Sequence, residues 1–442
     1  MRANRNSNNR GGARVHANAN RAGRIKKTLR KLGPGLITGA ADDDPSGIAS
    51  YSQGGAQFGF GTLWTLFFTY PLMVGIQIIS AHIGCVTGRG LAANVRLAYP
   101  AWFLYALVGL LLAANVINIG ADLSAMANAA ELVTDVPSQF FAVSFGVLSL
   151  LLQIFLPYAR YVRLLKWLTL ALLAYVAVLF VVRVPWGAVL SSVIFPRWIA
   201  GADYVAIIVA IFGTTISPYL FFWQAALEVE EQRADVNGKR PVRRHPGRAP
   251  AQFRRIKIDT YIGMAFSNLI AFFIMVCAAV TLHEGGVRDI STAAEAAQAL
   301  RPIAGDFAFL LFALGIIGTG LLALPVLAGS AAYAVAEAMR WPAGLGLKPA
   351  SGKGFYAIIA FSTLLGVTLD FSGIAPMKAL VWSAIINGVI SVPMMAVTMH
   401  MASGRRLMGR FVISPRLKWL GWIATAVMGA VVMLLGWSLL KG

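Results

Sequence analysis

The residues best equipped for chemistry in this 442-residue chain are three consecutive carboxylates, Asp42-Asp43-Asp44, followed directly by Pro45-Ser46-Gly47. They lie in a segment otherwise apolar enough to cross a membrane, where an acid is costly unless it faces a cavity, a counter-ion or a cation. Pro45 has no amide hydrogen, the residue before it is pushed out of the α region, and Gly47 loosens the backbone, so a helix must break at this point. Asp44 as N-cap with Pro45 at the first helical position then starts a second half-helix.

A matching interruption, Gly213-Thr214-Thr215-Ile216-Ser217-Pro218, cuts an apolar run that begins near Asp203. At helical rise, Asp44 is about 16 Å from a start near Gly33 and Ser217 about 21 Å from Asp203, both inside the bilayer. Carbonyls freed at the ends of the first half-helices carry partial negative charge, the hydroxyls of Thr214, Thr215 and Ser217 add neutral oxygens, and Asp44 adds a full charge. Such a set, without sulfur or imidazole, suits a hard divalent cation. Taken singly, Asp44 reads equally well as a plain cap and Pro218 as a tolerated kink. Their corresponding positions point instead to one shared midplane site.

The elements that must position these residues are membrane helices. The chain is 58% hydrophobic and 13% charged, and its apolar runs of roughly 20 residues match the hydrocarbon thickness. About eleven spans are predicted, near 33–58, 60–83, 101–130, 138–157, 163–182, 203–228, 258–283, 307–338, 354–370, 377–401 and 419–440. The class is an all-α integral membrane protein with spans one and six broken. Spans one and six open two five-span halves and cross from opposite sides.

The net charge of +20 would suggest nucleic acid in a soluble chain. Here all of the 38 Lys and Arg except Arg183, Arg197, Arg288, Arg301, Lys378 and Lys441 fall on one side of the predicted spans. By the positive-inside rule the protein is a multi-pass protein of the cell membrane with a cytoplasmic N-terminus and a C-terminus on the opposite side. The expected partners are a divalent metal cation and the lipid bilayer, with no nucleic acid. Residues 1–30 read as a disordered basic tail, and 229–257 as a mobile basic cytoplasmic loop. Glu228, Glu230 and Glu231, next to that loop, read as a solvated face. Cys85 and Cys277 support no disulfide framework, and the five histidines form no ligand-spaced pair; no cofactor is expected.

The runs Gly33-Pro34-Gly35, Asp44-Pro45-Ser46-Gly47, Gly55-Ala56-Gln57-Phe58-Gly59 and Val86-Thr87-Gly88-Arg89, with Asp122 in the third span and Pro218 in the sixth, resemble the NRAMP family of divalent-metal transporters. The resemblance covers spans one to ten. It implies a LeuT-like fold of two inverted five-helix repeats, 31–183 and 203–402, with 403–442 adding a loop and an eleventh helix. It also implies metal import by alternating access, usually with a proton.

Departures from the family pattern carry the finer expectations. The family's Asp-Pro-Gly-Asn keeps Asp44 and Pro45, but Gly47 replaces the Asn and its amide. The family's Met-Pro-His reads Ser217-Pro218-Tyr219, so a thioether that favours softer ions gives way to a hydroxyl. Both changes enlarge the site, which suits an ion that dehydrates reluctantly, as magnesium does. The combination resembles the Nramp-related magnesium transporters, which carry magnesium and also manganese in largely hydrated form. On that resemblance Asp44, Ser217 and the main-chain oxygens of Ala41 and Thr214 form the inner site, beside Gly47.

Titratable groups that the family uses for proton coupling read Tyr219, Asn115 and Ala125 here, leaving Asp122, which reads equally well as part of a hydrogen-bond network with Asn118 or as a proton relay. Little or no proton coupling is therefore expected, with flux driven by the membrane potential. Asp42 and Asp43 are expected as vestibule or supporting groups, and Gln57, Asn268 and Asn387 as path-lining or helix-bridging amides. The competing expectations are a proton-coupled manganese or iron importer and, from another class, an intramembrane aspartyl hydrolase. A hydrolytic dyad normally draws its acids from separate helices, whereas these three are contiguous. No enzymatic step is expected.

Overall fold

The computed structural model describes residues 39, 41–156, 168–234 and 241–441; the predicted tail 1–30 lies outside them. Its helices of eight residues or more are α1 (Pro45–Phe58), α2 (Leu63–Thr87), α3 (Leu91–Ala98), α4 (Ala101–Thr134), α5 (Ser138–Phe155), α6 (Leu173–Val181) and α7 (Trp186–Ile194). They continue with α8 (Ala202–Thr215), α9 (Pro218–Ala234), α10 (Ala249–Ala278), α11 (Ala308–Met339), α12 (Lys353–Asp370), α13 (Pro376–Ser403) and α14 (Pro415–Lys441). Among the described residues nine helical stretches are long and apolar enough to cross a membrane, α1 and α2 being joined in one of them. A shorter apolar stretch, Leu170–Val181, stands where the fifth span is expected; the start of that span and most of the first half of span one fall outside the described residues.

Both predicted breaks are present. Residues 41 and 42 are helical, Asp43 bends, and Asp44 is extended (φ −70°, ψ 170°) before Pro45 opens α1. In the second half, α8 ends at Thr215, Ile216 leaves the helical region (φ −116°, ψ 50°), and Pro218 opens α9. The backbone groups freed by the second break find partners. The Ile216 amide donates to the Phe212 carbonyl at 2.8 Å, and Ser391 on α13 donates to the Ile216 carbonyl at 2.6 Å. Broken helices survive inside a membrane only when neighbours re-satisfy the backbone in this way.

The broken helices form the centre of the bundle. The most apolar window of Ala202–Arg233 is 94% buried, against 22% for Ser138–Phe155 and for α14 at the periphery. Close approach at the centre depends on residues without side chains. A Cβ at Gly213 would stand 2.0 Å from the Ala384 carbonyl of α13, and one at Gly55 would stand 2.3 Å from the Met275 carbonyl of α10. Small residues at such crossings let helices pack where no hydrophobic force drives them together.

The two faces of the bundle are set by what the helix ends touch. Gln53 and Gln57 near the end of α1, Asp203 at the start of α8 and Lys378 at the start of α13 share one cavity. The end of α2, the segment before α10 and the end of α13 meet on the opposite face, through Val242 to Cys85 and Arg243 to Leu407. So α1 runs toward the face from which α8 departs, the antiparallel relation expected of inverted halves.

Two sequence expectations change here. The loop 229–257 is narrower, because α9 continues to Ala234 and α10 begins at Ala249. Glu228 is also not part of a solvated face, whereas Glu230 and Glu231 are partly exposed. Glu228 is fully buried and paired with Arg255 of α10 at 2.5 Å, Glu231 lies 2.6 Å from the same guanidinium, and Glu230 accepts from Tyr333 at 2.9 Å. This pairing carries both helices past the apolar run, which composition alone marked as the end of the span.

Candidate metal-binding site

Asp44 stands at the first break as a helix cap. Its Oδ1 accepts from the Gly47 amide at 2.8 Å and from the Ser46 hydroxyl at 2.8 Å, which fixes the carboxylate at the N-terminus of α1. Its Oδ2 reaches across the bundle, accepting from Asn118 Nδ2 on α4 at 3.1 Å and from the Tyr219 hydroxyl on α9 at 3.1 Å. Four donors fill the four lone-pair positions of one carboxylate. Asn118 is held in turn, its Oδ1 accepting from Ser383 at 2.8 Å and from Asn387 Nδ2 at 3.4 Å, both on α13. The helices of spans one, three, six and ten thus converge on Asp44.

Beside this saturated carboxylate lie Asp42 Oδ1 and Asn387 Oδ1, buried without a formed hydrogen bond, the Tyr51 and Thr214 hydroxyls, which lie against each other, and the Asp122 carboxylate, which faces the Ser46 amide. Gly47 stands against one of them, Thr214 Oγ1. A Cβ placed on it would stand 3.1 Å from Thr214 Oγ1, 3.3 Å from the Tyr51 ring and 3.4 Å from the Asp42 carbonyl oxygen. Buried polar atoms are almost always paired with protein, water or an ion. A group of unpaired oxygens around one carboxylate is the arrangement that a partly hydrated hard cation satisfies. Among the described residues no three His, Cys, Asp or Glu side chains are placed to hold a metal together. The oxygens beside Asp44 are a mixture of carboxylate, hydroxyl and amide oxygens.

The other expected site residues fall as follows. Ser217 is buried at the second break, its hydroxyl directed at the carbonyls of Gly213 at 2.6 Å and Thr214 at 2.8 Å. The Thr214 carbonyl therefore already has a donor, and the Thr214 side chain lies against the Tyr51 hydroxyl. Ala41 is buried on the helical turn before the break. Asp42 and Asp43 are also buried, so neither faces an open vestibule, and they share the Ser267 hydroxyl of α10 at 2.6 and 3.0 Å. Asn118 bonds Asp44, where a partnership with Asp122 was one of two readings.

Asn115 is drawn away from the site to the Leu327 carbonyl at 2.8 Å and Ser330 at 2.7 Å on α11. Gln57 lies in the cavity at the far end of α1, about 420 Å³ in volume, with Gln53, Asp203 and Asp289. Asn268 is half-buried on α10 with Oδ1 unpaired. Sequence reasoning missed Tyr51, Ser267, Ser383 and Ser391. Single hydroxyls in apolar helices carry no local signal, since most of them simply bond the preceding turn. Asp44, Thr214 and Ser217 are each at most 1% exposed, so the site is closed to solvent from both faces in this conformation.

Comparison with known proteins places the chain. Residues 35–438 match the family profile described as Nramp, natural resistance-associated macrophage protein-like. The divalent metal cation transporter MntH of Deinococcus radiodurans is 26% identical, over 98% of this chain and 95% of that protein. MntH of Klebsiella pneumoniae is 25% identical over 96% of this chain and 97% of its own. In structure, the fold is shared with the manganese transporter of Eremococcus coleocola, with a TM-score of 0.74 at 16% identity, covering 93% of this chain and 86% of that one. It is shared also with Mhp1, a nucleobase-cation-symport-1 family transporter, with a TM-score of 0.57 at 13% identity over 92% and 91%.

Proposed function

The chain belongs to the Nramp family and transports divalent metal cations across a membrane, and on that premise we propose that its cargo is magnesium, with manganese also carried, in a largely hydrated form. The observation that supports this is Gly47 facing the Thr214 hydroxyl. At the two positions where the family pattern supplies an amide and a thioether, this chain has a hydrogen atom and a hydroxyl. Oxygen is left as the donor, and an ion that prefers oxygen and water is favoured over one that seeks sulfur.

Direct contact with Asp44 requires Oδ2 to release Tyr219 or Asn118. A hydrated ion instead approaches through its own waters, which donate to the unpaired oxygens. The inner site comprises Asp44, Ser217, Thr214, the Ala41 carbonyl and Gly47, with Asn118 and Asn387 behind it. Transport proceeds by alternating access: the closed site opens to one face and then the other as the helices around the breaks rock. The protein sits in the cell membrane with its N-terminus and the basic face in the cytoplasm.

Coupling to protons is weak or absent in this reading. Tyr219 and Asn115 are neutral and hydrogen-bonded where the family pattern has titratable groups, and the membrane potential supplies about 2.3 kcal/mol per charge per 100 mV. The rival reading, a proton-coupled manganese or iron importer, draws on Asp122, a buried acid that faces the Ser46 amide. Uptake into liposomes holding a pH dye separates the two. We expect manganese and magnesium entry that follows an imposed potential without internal acidification. Acidification that tracks manganese entry and saturates with it overturns the uncoupled reading.

A further inference from the structure

On the basic face, where α9 ends, lies a cavity of about 490 Å³ remote from the cation site. Four arginines from separate pieces of chain line it: Arg89 in the turn after α2, Arg96 on α3, Arg233 on α9 and Arg340 at the end of α11. Two acids, Glu230 and Glu337, line the same cavity and offset part of this charge, but their hydrogen bonds go to other groups. Glu337 turns its carboxylate to the start of α3, accepting from the Gly90 amide at 2.9 Å and the Ala93 amide at 3.0 Å, and Glu230 accepts from Tyr333 at 2.9 Å. Arg96 and Arg233 donate to the carbonyls of Glu337 at 2.7 Å and Ala343 at 3.1 Å, partners that orient a guanidinium without neutralising it. Among the described residues no carboxylate lies within ion-pair distance of any of the four.

Topological bias places arginines on this face, but it does not gather four around one cavity. We propose that this cavity binds a phosphate-bearing anion. Guanidinium groups meet phosphate oxygens in pairs of parallel hydrogen bonds, and the volume is that of an ordinary small-ligand pocket. Leu97 and Trp341, both over two-fifths exposed, set apolar surface beside the charge. An anionic lipid headgroup and a soluble polyphosphate present the same chemistry. Either occupant bridges α9, the second half of a broken helix, to α3 and α11, and so biases the conformation in which the three stand together.

The test uses the full-length protein in nanodiscs, read by calorimetry and thermal unfolding. One arm titrates pyrophosphate into phosphatidylcholine discs; the other compares phosphatidylcholine discs with discs containing phosphatidic acid. Pyrophosphate binding that weakens at least about tenfold in Arg89→Gln/Arg340→Gln assigns a soluble ligand. Stabilisation by phosphatidic acid alone, lost in the same variant, assigns a lipid. Metal binding by the variant reports that it is folded; should the double variant fail that check, Arg89→Gln alone is used, since among the described residues only the Arg89 backbone is hydrogen-bonded. An effect of neither probe on the native protein, or an effect undiminished in the folded variant, overturns the proposal.

Discussion

The Tyr219 hydroxyl donates to Asp44 Oδ2 at 3.1 Å, joining the first turn of α9 to the cap of α1. The second halves of the two broken helices are therefore tied through the one carboxylate that a cation would need. With Asn118 on the same oxygen, and Ser46 and Gly47 on the other, the closed conformation fills the acceptors of Asp44 with the protein's own donors.

Removing one competing donor frees that oxygen. Tyr219→Phe keeps the ring and deletes the hydroxyl, so magnesium affinity measured by calorimetry is expected to rise by roughly ten- to a hundredfold, the scale of one hydrogen bond to a charged group. Weaker binding would instead make the hydroxyl part of the ion's coordination. Asp44→Asn, tested in parallel, is expected to abolish binding.

Gly47→Asn with Ser217→Met restores the amide and thioether of the family pattern. The new Cβ at residue 47 meets Thr214 Oγ1 at 3.1 Å, the Tyr51 ring at 3.3 Å and the Asp42 carbonyl oxygen at 3.4 Å, so these neighbours must shift by a few tenths of an ångström. The manganese-to-magnesium ratio in competition binding is expected to rise at least about tenfold, because a soft donor enters. An unchanged ratio would remove the donor argument for magnesium.

Asn115 is expected to matter for folding only. Asn115→Ala takes a donor from the buried Leu327 carbonyl and from Ser330, at a cost of about 1–2 kcal/mol in chemical denaturation. Metal affinity should stay unchanged, since Asn115 has no contact with Asp44. A parallel loss of binding would place it on the ion's path.

The buried pair at the end of α9 is more severe. Arg255→Met leaves Glu228 charged and unpartnered by its guanidinium, with an expected loss of about 3–5 kcal/mol. Adding Glu228→Met should restore part of that stability, because it removes the fully buried acid and leaves only Glu231, whose side chain is 39% exposed, without its partner. Denaturant titration of both variants checks the sign; no recovery in the double variant would mean the charges hold α9 and α10 by more than mutual compensation.

What the sequence by itself determined is local. Asp44-Pro45 and Ser217-Pro218 break helices because proline lacks a donor and restricts its neighbour, and that effect needs no tertiary partner. The positions of the apolar runs follow for the same reason, since each membrane helix satisfies its own backbone. The nature of the site residues, a carboxylate with hydroxyls and a missing amide, was likewise readable from composition at the breaks.

What only the tertiary structure decided is which groups already have partners. Glu228 read as solvated because Arg255, 27 residues further along, gave no sign of reaching it. In one of two readings Asn118 was a partner of Asp122, yet it bonds Asp44, 74 residues away. The Thr214 carbonyl, an expected ligand, shares the Ser217 hydroxyl with the Gly213 carbonyl, a relation the local sequence did not reveal. A hydrogen bond is directional and short, so its partner is fixed by how helices distant in sequence rotate and cross. Residue type limits what each group can donate or accept, while the packing around Gly47, Gly213 and Gly55 sets which oxygens remain for an ion.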